Sequence, residues 1–200
     1  MGGLVAYEMA QRLLAEGREV RLLILLDTPA PGTADTAPLS DVDLWVAFAA
    51  DLGIGRETLA PFIDQIRQTS RAGDGVPEIL DAARCAGVVP PDLELSDLNR
   101  LFQVFRVNVL AMSEYRALPY PGHLALIAAA EGRQLDDDPT LGWESLVKGD
   151  LEAWKTPGDH YHLLHEPQVV SFAKRLAETV QRACSPSGCL NENSSRRRNS

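Results

Sequence analysis

Val20-Arg21-Leu22-Leu23-Ile24-Leu25-Leu26, cut off at once by Asp27-Thr28-Pro29, is the stretch whose reading decides the fold. The run is apolar except for Arg21, too short for an ordinary helix, and lacks the alternation of a strand with one wet face. It therefore reads as a parallel strand buried on both faces. Upstream of it, Leu4, Val5, Met9, Ala10, Leu13 and Leu14 recur at helical spacing, and Gly17 stands where a left-handed residue would stop the helix. A helix running into a buried strand is half of a β-α-β unit, whose crossover helix joins two parallel strands. The partner strand is expected ahead of Met1, so the sequence reads as entering in the middle of a fold.

Downstream the character changes. Strand-like runs vanish between about residues 31 and 118, and helical patterns fall at residues 44–52, 58–66, 79–86 and 96–115. In the last of these Ser96 is the expected N-cap, and Leu98, Leu101, Phe102, Phe105, Val109 and Met112 form one apolar stripe. Pro119, Pro121 and Gly122 then punctuate a turn. Residues 123–129 read as a second strand, 149–154 as a shorter third, and 167–182 as a closing amphipathic helix. From Cys184 onward Ser, Asn, Gly and Arg dominate without apolar periodicity, the composition of a disordered tail. The expected division is an α/β core over residues 1–37, a helical insertion over 38–118, the rest of the core over 119–183, and a tail over 184–200.

Bulk properties narrow the function. A chain of 200 residues with 45% hydrophobic content can bury one sizeable core. Its net charge of -9 argues against nucleic acid, which needs a basic face to displace counterions. No apolar run approaches membrane-spanning length, and Met1-Gly2-Gly3 has no basic leader before it, so the reading is a soluble, cytoplasmic protein with no membrane partner. Small molecules or proteins are the expected partners. Cys85, Cys184 and Cys189 are odd in number and lack metal-ligand spacing, which gives a disulfide framework no support.

Two residues stand out for chemistry. In open α/β sheets reactive groups gather beyond the carboxyl ends of the strands, and Asp27 sits at such an end, although a turn-capping role is open to it on position alone. His160, in Pro157-Gly158-Asp159-His160 just past the third strand, suits general acid-base work near neutral pH, and a surface cap on the final helix is its bland alternative. His160-Tyr161-His162-Leu163-Leu164-His165 also has the spacing of the His-x-His-x-Asp-His signature of metallo-β-lactamase-like hydrolases. Leu164 replaces the acid and no histidine follows His165, so a metal site built on His160, His162 and His165 is a remote alternative and no metal is expected. Arg196-Arg197-Arg198, at the end of an acidic chain, reads as inert.

Met1-Gly2-Gly3-Leu4-Val5-Ala6-Tyr7-Glu8 is similar to the segment after the nucleophilic serine in the Gly-x-Ser-Met-Gly-Gly elbow of thioesterase domains that release nonribosomal peptides and polyketides. The resemblance continues in order through Leu25-Leu26-Asp27, Val104-Phe105-Arg106-Val107-Asn108, Pro119-Tyr120-Pro121-Gly122, Leu141-Gly142-Trp143, Gly158-Asp159-His160 and Glu166-Pro167. It implies a partial α/β-hydrolase fold, mostly parallel, with an all-helical lid. It also implies a Ser-Asp-His triad in which Asp27 and His160 take the second and third places. The serine would fall immediately before Met1, and the Met1 amide would be one oxyanion-hole donor. Trp45, Phe48, Phe62, Phe102 and Phe105 would line an acyl-binding lid, with ordinary core packing as the alternative for each. The implied substrate is an acyl or peptidyl thioester on the phosphopantetheine arm of a carrier protein, with no bound cofactor. Two functions stay open at this point. A longer parent enzyme could hydrolyse or cyclise such a thioester, or the chain could be a non-catalytic remnant or carrier-protein or acyl-binding module lacking the nucleophile. Ser113 and Ser145 are poor substitutes, since neither lies in a Gly-x-Ser-x-Gly turn.

Overall fold

The computed structural model describes residues 1–32, 40–68, 76–131 and 138–185. Helix α1 spans Gly2–Ala15, strand β1 Leu23–Leu26, and helices α2 to α5 Asp41–Asp51, Arg56–Gln68, Val76–Ala86 and Leu95–Glu114. Strand β2 follows at Leu124–Ala129, a 3-10 turn at Trp143–Ser145, strand β3 at Leu151–Thr156 and helix α6 at Gln168–Cys184. Contacts divide the described residues into two units, one within Met1–Ala34 and Arg116–Ser200 and the other within Asp35–Tyr115.

The first unit is an α/β layer structure built on a parallel sheet in the order β1-β2-β3. This is the arrangement expected of a partial α/β-hydrolase sheet. Every residue of β2 is buried, because it has a strand on each edge and a packed layer on each face. Leu23 and Leu25 of β1 join Leu124, Leu126 and Ala128 on one face, against Tyr7 and Ala10 of α1 together with Tyr120 and Trp143. Ile24 and Leu26 join Ala125, Ile127 and Trp154 on the other, against Phe172 and Leu176 of α6. Helix α1 ends as its sequence predicts, with Gly17 at φ 74 and bonds from the Gly17 and Arg18 N–H groups to the carbonyls of Leu14 and Leu13.

Strand ends depart from the sequence reading for identifiable reasons. The ladder begins at Leu23, whose N–H donates to the His123 carbonyl, while Arg21 turns to Glu19 at the surface. The third strand starts at Leu151 rather than 149 and runs on to Thr156. A Cβ on Gly149 would lie 2.4 Å and 2.3 Å from the carbonyl oxygens of Pro121 and Gly122, so this residue is spent on a close backbone crossing before pairing begins. Helix α6 continues to Cys184, where the tail was expected to start. Cys189, Arg196, Arg197 and Arg198 lie outside the described residues.

The regular elements of the second unit are all helices among its described residues. Ser40 caps α2 in a reciprocal box with Asp43. Helix α5 is capped by Glu94 and not Ser96, because the Glu94 carbonyl already accepts the Leu98 N–H. Leu98 and Phe102 of its apolar stripe are buried, Phe105 and Val109 pack half-buried against the same core, and Leu101 faces outward. At the centre Trp45 and Phe102 stack with ring centroids 3.4 Å apart, and Phe48 meets both edge-on. Among the described residues no helix is long and apolar enough to cross a membrane.

Removing the largest buried ring of the helical unit leaves a cavity its neighbours cannot fill. Trp45→Ala is expected to lower the free energy of unfolding by about 3–5 kcal/mol, read from the shift in urea midpoint. Leu101→Ala, on the outward side of α5, is expected to stay within about 0.5 kcal/mol of the unsubstituted chain.

Candidate active site

β1 ends on a strained acid. The Asp27 N–H donates the last ladder bond, to the Ile127 carbonyl at 2.6 Å, and the residue then adopts φ 41. A left-handed conformation costs a residue with a Cβ roughly 1–2 kcal/mol, and such strain tends to gather where surrounding structure enforces it for function. The carboxylate is 1% exposed, so its oxygens take protein hydrogen-bond partners in place of water. Oδ1 accepts the Ala129 N–H at 3.0 Å, and Oδ2 lies 2.7 Å from His160 Nδ1.

The His160 side chain is 55% exposed. A buried carboxylate acceptor at Nδ1 selects the tautomer with hydrogen on that nitrogen, leaving Nε2 as the basic position. The ring thus has one anchored edge and one edge toward solvent.

Its loop is tied down from two directions. After β2, the Ala130 N–H donates to the Thr156 carbonyl and the Glu131 N–H to the Gly158 carbonyl, while the Gly158 N–H donates to Glu131 Oε1 at 3.3 Å. Gly158 takes φ 98, which lets the chain turn back at this point. Asp159 Oδ1 then accepts the N–H groups of Tyr161 and His162, each at 2.9 Å, and the ring Nδ1 of His162 approaches it at 2.7 Å. Burial pushes the Asp159 carboxyl up, but the His162 ring, these two amides and the charge on His162 reverse the effect and hold it below the ordinary carboxylate value.

The first turn of α1 comes to the same end of the sheet. A Cβ on Gly3 would lie 2.2 Å from Thr28 Oγ1, next in sequence to Asp27, whereas one on Gly2 would meet open space. Only Gly3 is required by close approach. Met1 is exposed and serves as the N-cap of α1 without a side-chain bond.

The structure thus brings Asp27 and His160 together, while His162 and His165 make other contacts. His162 Nδ1 is engaged by Asp159, and the His165 ring lies edge-on to His162 with centroids 5.5 Å apart. Among the described residues no three His, Cys, Asp or Glu side chains form a group able to hold a metal ion. Ser113 and Ser145 donate to carbonyls three residues back in their own helical turns. Trp45, Phe48 and Phe102 lie in the core of the helical unit, with Phe62 and Phe105 packed half-buried against it.

Several contacts at the site escape sequence reasoning. The Ala129 amide and the Glu131–Gly158 exchange are largely backbone bonds, which leave no mark on side-chain identity. Leu141-Gly142-Trp143 carries a sequence signal, since a tryptophan after a glycine is visible as a motif. Its partner is not visible, because the Trp143 indole N–H donates at 2.7 Å to the Thr28 carbonyl, far away in sequence.

Residues 1–178 match the family model for the thioesterase domain. The chain is 26% identical over 192 residues to chondramide synthase cmdD of Chondromyces crocatus, covering 90% of this chain and 5% of that protein. It is 27% identical over 195 residues to microperfuranone synthase of Emericella nidulans, covering 91% and 20%. Among solved structures it is similar to the four-domain nonribosomal peptide synthetase AB3403, with a TM-score of 0.76 and 27% identity over 89% of this chain and 14% of that one. The Vlm2 thioesterase domain shares the fold, with a TM-score of 0.60 and 19% identity over 92% and 63%. The chain therefore spans only a part of the proteins it matches.

The Asp159 cap gives a direct test of how the His160 loop is held. Because the folded carboxyl titrates below its ordinary value, its bonds are in place above the usual carboxylate range and are lost only as pH falls through the lowered value. Asp159→Ala removes them at every pH. At neutral pH the amide hydrogens of Tyr161 and His162 are expected to exchange faster in this variant, while those of β2 keep their protection. Unchanged exchange at both amides would show that the loop is held without the cap.

Proposed function

The chain belongs to the thioesterase domain family, and we propose that it supplies the Asp27 and His160 members of a Ser-Asp-His triad that acts on a carrier-bound thioester. One observation carries this reading above the others, the 2.7 Å approach of His160 Nδ1 to the buried Asp27 carboxylate beyond the carboxyl ends of the strands. In the proposed longer protein the nucleophilic serine directly precedes Met1, at the head of α1. The approach of α1 to Thr28 at Gly3 supports this placement.

In the proposed chemistry His160 Nε2 takes the serine proton as the hydroxyl attacks the thioester carbonyl. Asp27 holds the ring by Nδ1 and stabilises the imidazolium that forms. The tetrahedral oxyanion is received by backbone N–H donors, of which the Met1 amide, at the start of α1, is one. Collapse expels the carrier's phosphopantetheine thiol, and His160 returns a proton to the leaving sulfur. Water, or a nucleophile on the same acyl chain, then releases the product by the same route in reverse. No metal or organic cofactor enters these steps. The partner is an acyl or peptidyl carrier protein, and the setting is the cytoplasm.

The helical insertion takes the role of lid in this proposal. With Trp45, Phe48 and Phe102 spent on its core, the aromatic cluster contributes to acyl selection by fixing the lid's shape, and half-buried Phe105 retains surface for contact.

DNA upstream of Met1, read in frame, is expected to encode Gly-x-Ser immediately before it. In the protein so extended, His160→Ala should cut turnover of a model acyl thioester by on the order of ten-thousand-fold or more, and Asp27→Asn by on the order of ten-thousand-fold through loss of the correct tautomer. His162→Ala, His165→Ala and a chelator should each leave turnover within a small factor. Full activity in His160→Ala would sink the triad reading. Chelator-sensitive activity lost in His162→Ala would replace it with a metal site, and an extended protein that binds carrier but never turns over would leave the binding module.

A further inference from the structure

The triad reading assigns roles to Asp27 and His160 but leaves Leu141-Gly142-Trp143 without one. This segment touches the site at a specific place. Beyond Asp27 the chain leaves the sheet, the Thr28 hydroxyl donates back to the Leu26 carbonyl at 2.9 Å, and two long-range bonds tie the segment to residues 141–143. The Trp143 indole N–H donates to the Thr28 carbonyl at 2.7 Å, and the Ala30 N–H donates to the Leu141 carbonyl at 2.9 Å. They bracket the residues that follow the left-handed Asp27.

The bracket is itself held rigid. Trp143 is fully buried, and its ring lies 4.6 Å from that of Tyr7 on α1. Leu141 and Gly142 are both left-handed, at φ 48 and 84, so the segment turns sharply. The Asp138 carboxylate fixes that turn by accepting the Thr140 N–H and hydroxyl and the Gly142 N–H. These bonds, led by the Thr140 hydroxyl, hold the Asp138 carboxyl below its ordinary value, so it is an acceptor throughout the neutral range.

Resting on the reading of Asp27 and His160 as a pair, we infer that Trp143 is a positioning residue for the Asp27 carboxylate: its indole N–H holds the strained turn after β1 at the angle that presents Oδ2 to His160 Nδ1. The contact runs through the backbone, from indole to Thr28 carbonyl to the Asp27 dihedral angles. Trp143 touches no reacting atom. A left-handed non-glycine residue relaxes toward other conformations once its surroundings stop enforcing φ, and the carboxylate turns with it. The Asp138 cap acts one step further out, by keeping the 138–143 turn in the shape that delivers the indole.

Trp143→Phe keeps an aromatic ring against Tyr7 and removes the donor. The state of the pair is read from long-range proton–nitrogen correlations of the His160 ring, which report whether hydrogen sits on Nδ1 or Nε2. In the unsubstituted 200-residue chain the Nδ1–H form is expected to dominate. In Trp143→Phe the spectrum should move toward the mixture of tautomers of an unanchored imidazole, with circular dichroism and the protection of β2 amides retained. Trp154→Phe, which replaces the tryptophan on the opposite face of the sheet, should leave the His160 spectrum unchanged. Should Trp143→Phe fail to fold, Asp138→Ala decides the matter, because its carboxylate is at the surface and its loss should shift the same spectrum in the same direction to a smaller extent. An unsubstituted spectrum retained in a folded Trp143→Phe, or in Asp138→Ala where that is the deciding variant, overturns the inference and leaves the proposed function standing. A mixed spectrum in the unsubstituted chain removes the pairing itself, and both readings fall.

Discussion

Strand β2 has hydrogen-bonded neighbours on both edges and a packed layer on both faces, and the positions of β1 and β3 follow from where they meet that strand. Six consecutive buried residues need partners for their backbone amides and carbonyls, which the flanking ladders supply along the strand until the Ala129 N–H turns to the Asp27 carboxylate. The requirement fixes the register of β1 on one side and of β3 on the other. β1 stops opposite Ile127 and β3 runs on to Thr156 opposite Ala129, so Asp27, Ala129 and the loop after Thr156 meet at one end of the sheet. The amide of Ala129, in the last position of β2, is the hinge of this geometry, since it points at the Asp27 carboxylate.

The pair at the site divides the electrostatic labour unevenly. Asp27 is sealed from water, and its carboxylate contacts include the Ala129 amide and the His160 imidazole. His160 keeps more than half its side chain exposed, with one edge on Asp27 and the Tyr161 ring edge-on to it at 5.2 Å. An arrangement of this kind orients a base without burying it. The loops around it are joined by reciprocal bonds, Glu131 with Gly158 and Asp159 with the following amides, so the imidazole rests on a fixed backbone.

Packing on both faces makes β1 and β2 legible, because β2 is buried throughout and β1 alternates buried with half-buried residues, which leaves an uninterrupted apolar run in each. Their starting residues are less legible. A ladder begins where the neighbouring backbone begins, and Leu23 pairs from His123 onward whatever the hydrophobicity of Val20 and Leu22. The cap of α5 shows the same limit, as Ser96 has the better side chain but the Glu94 carbonyl accepts the first helical bond. Leu101 fits the apolar stripe by spacing and still faces outward. At the site, Asp27 and His160 are visible from residue type and strand-end position. Their supports are mostly hidden, because an amide such as that of Ala129, or a carbonyl such as that of Thr28, is present at every position and acquires meaning only from the fold.

The chain order places the whole helical unit between β1 and β2, and this shapes how the sheet can assemble. Leu23 must find Leu124, and closing a flexible loop of about a hundred residues carries an entropic cost that grows with its length. The helical unit, however, contains its own core around Trp45, Phe48 and Phe102, built from contacts much nearer in sequence. Once that core has collapsed, the loop to be closed is no longer a long coil, only the short segments leading into and out of a compact body. The pairing of β1 with β2 is thus a nonlocal contact, the class that slows folding, whereas the core of the helical unit is built from local ones.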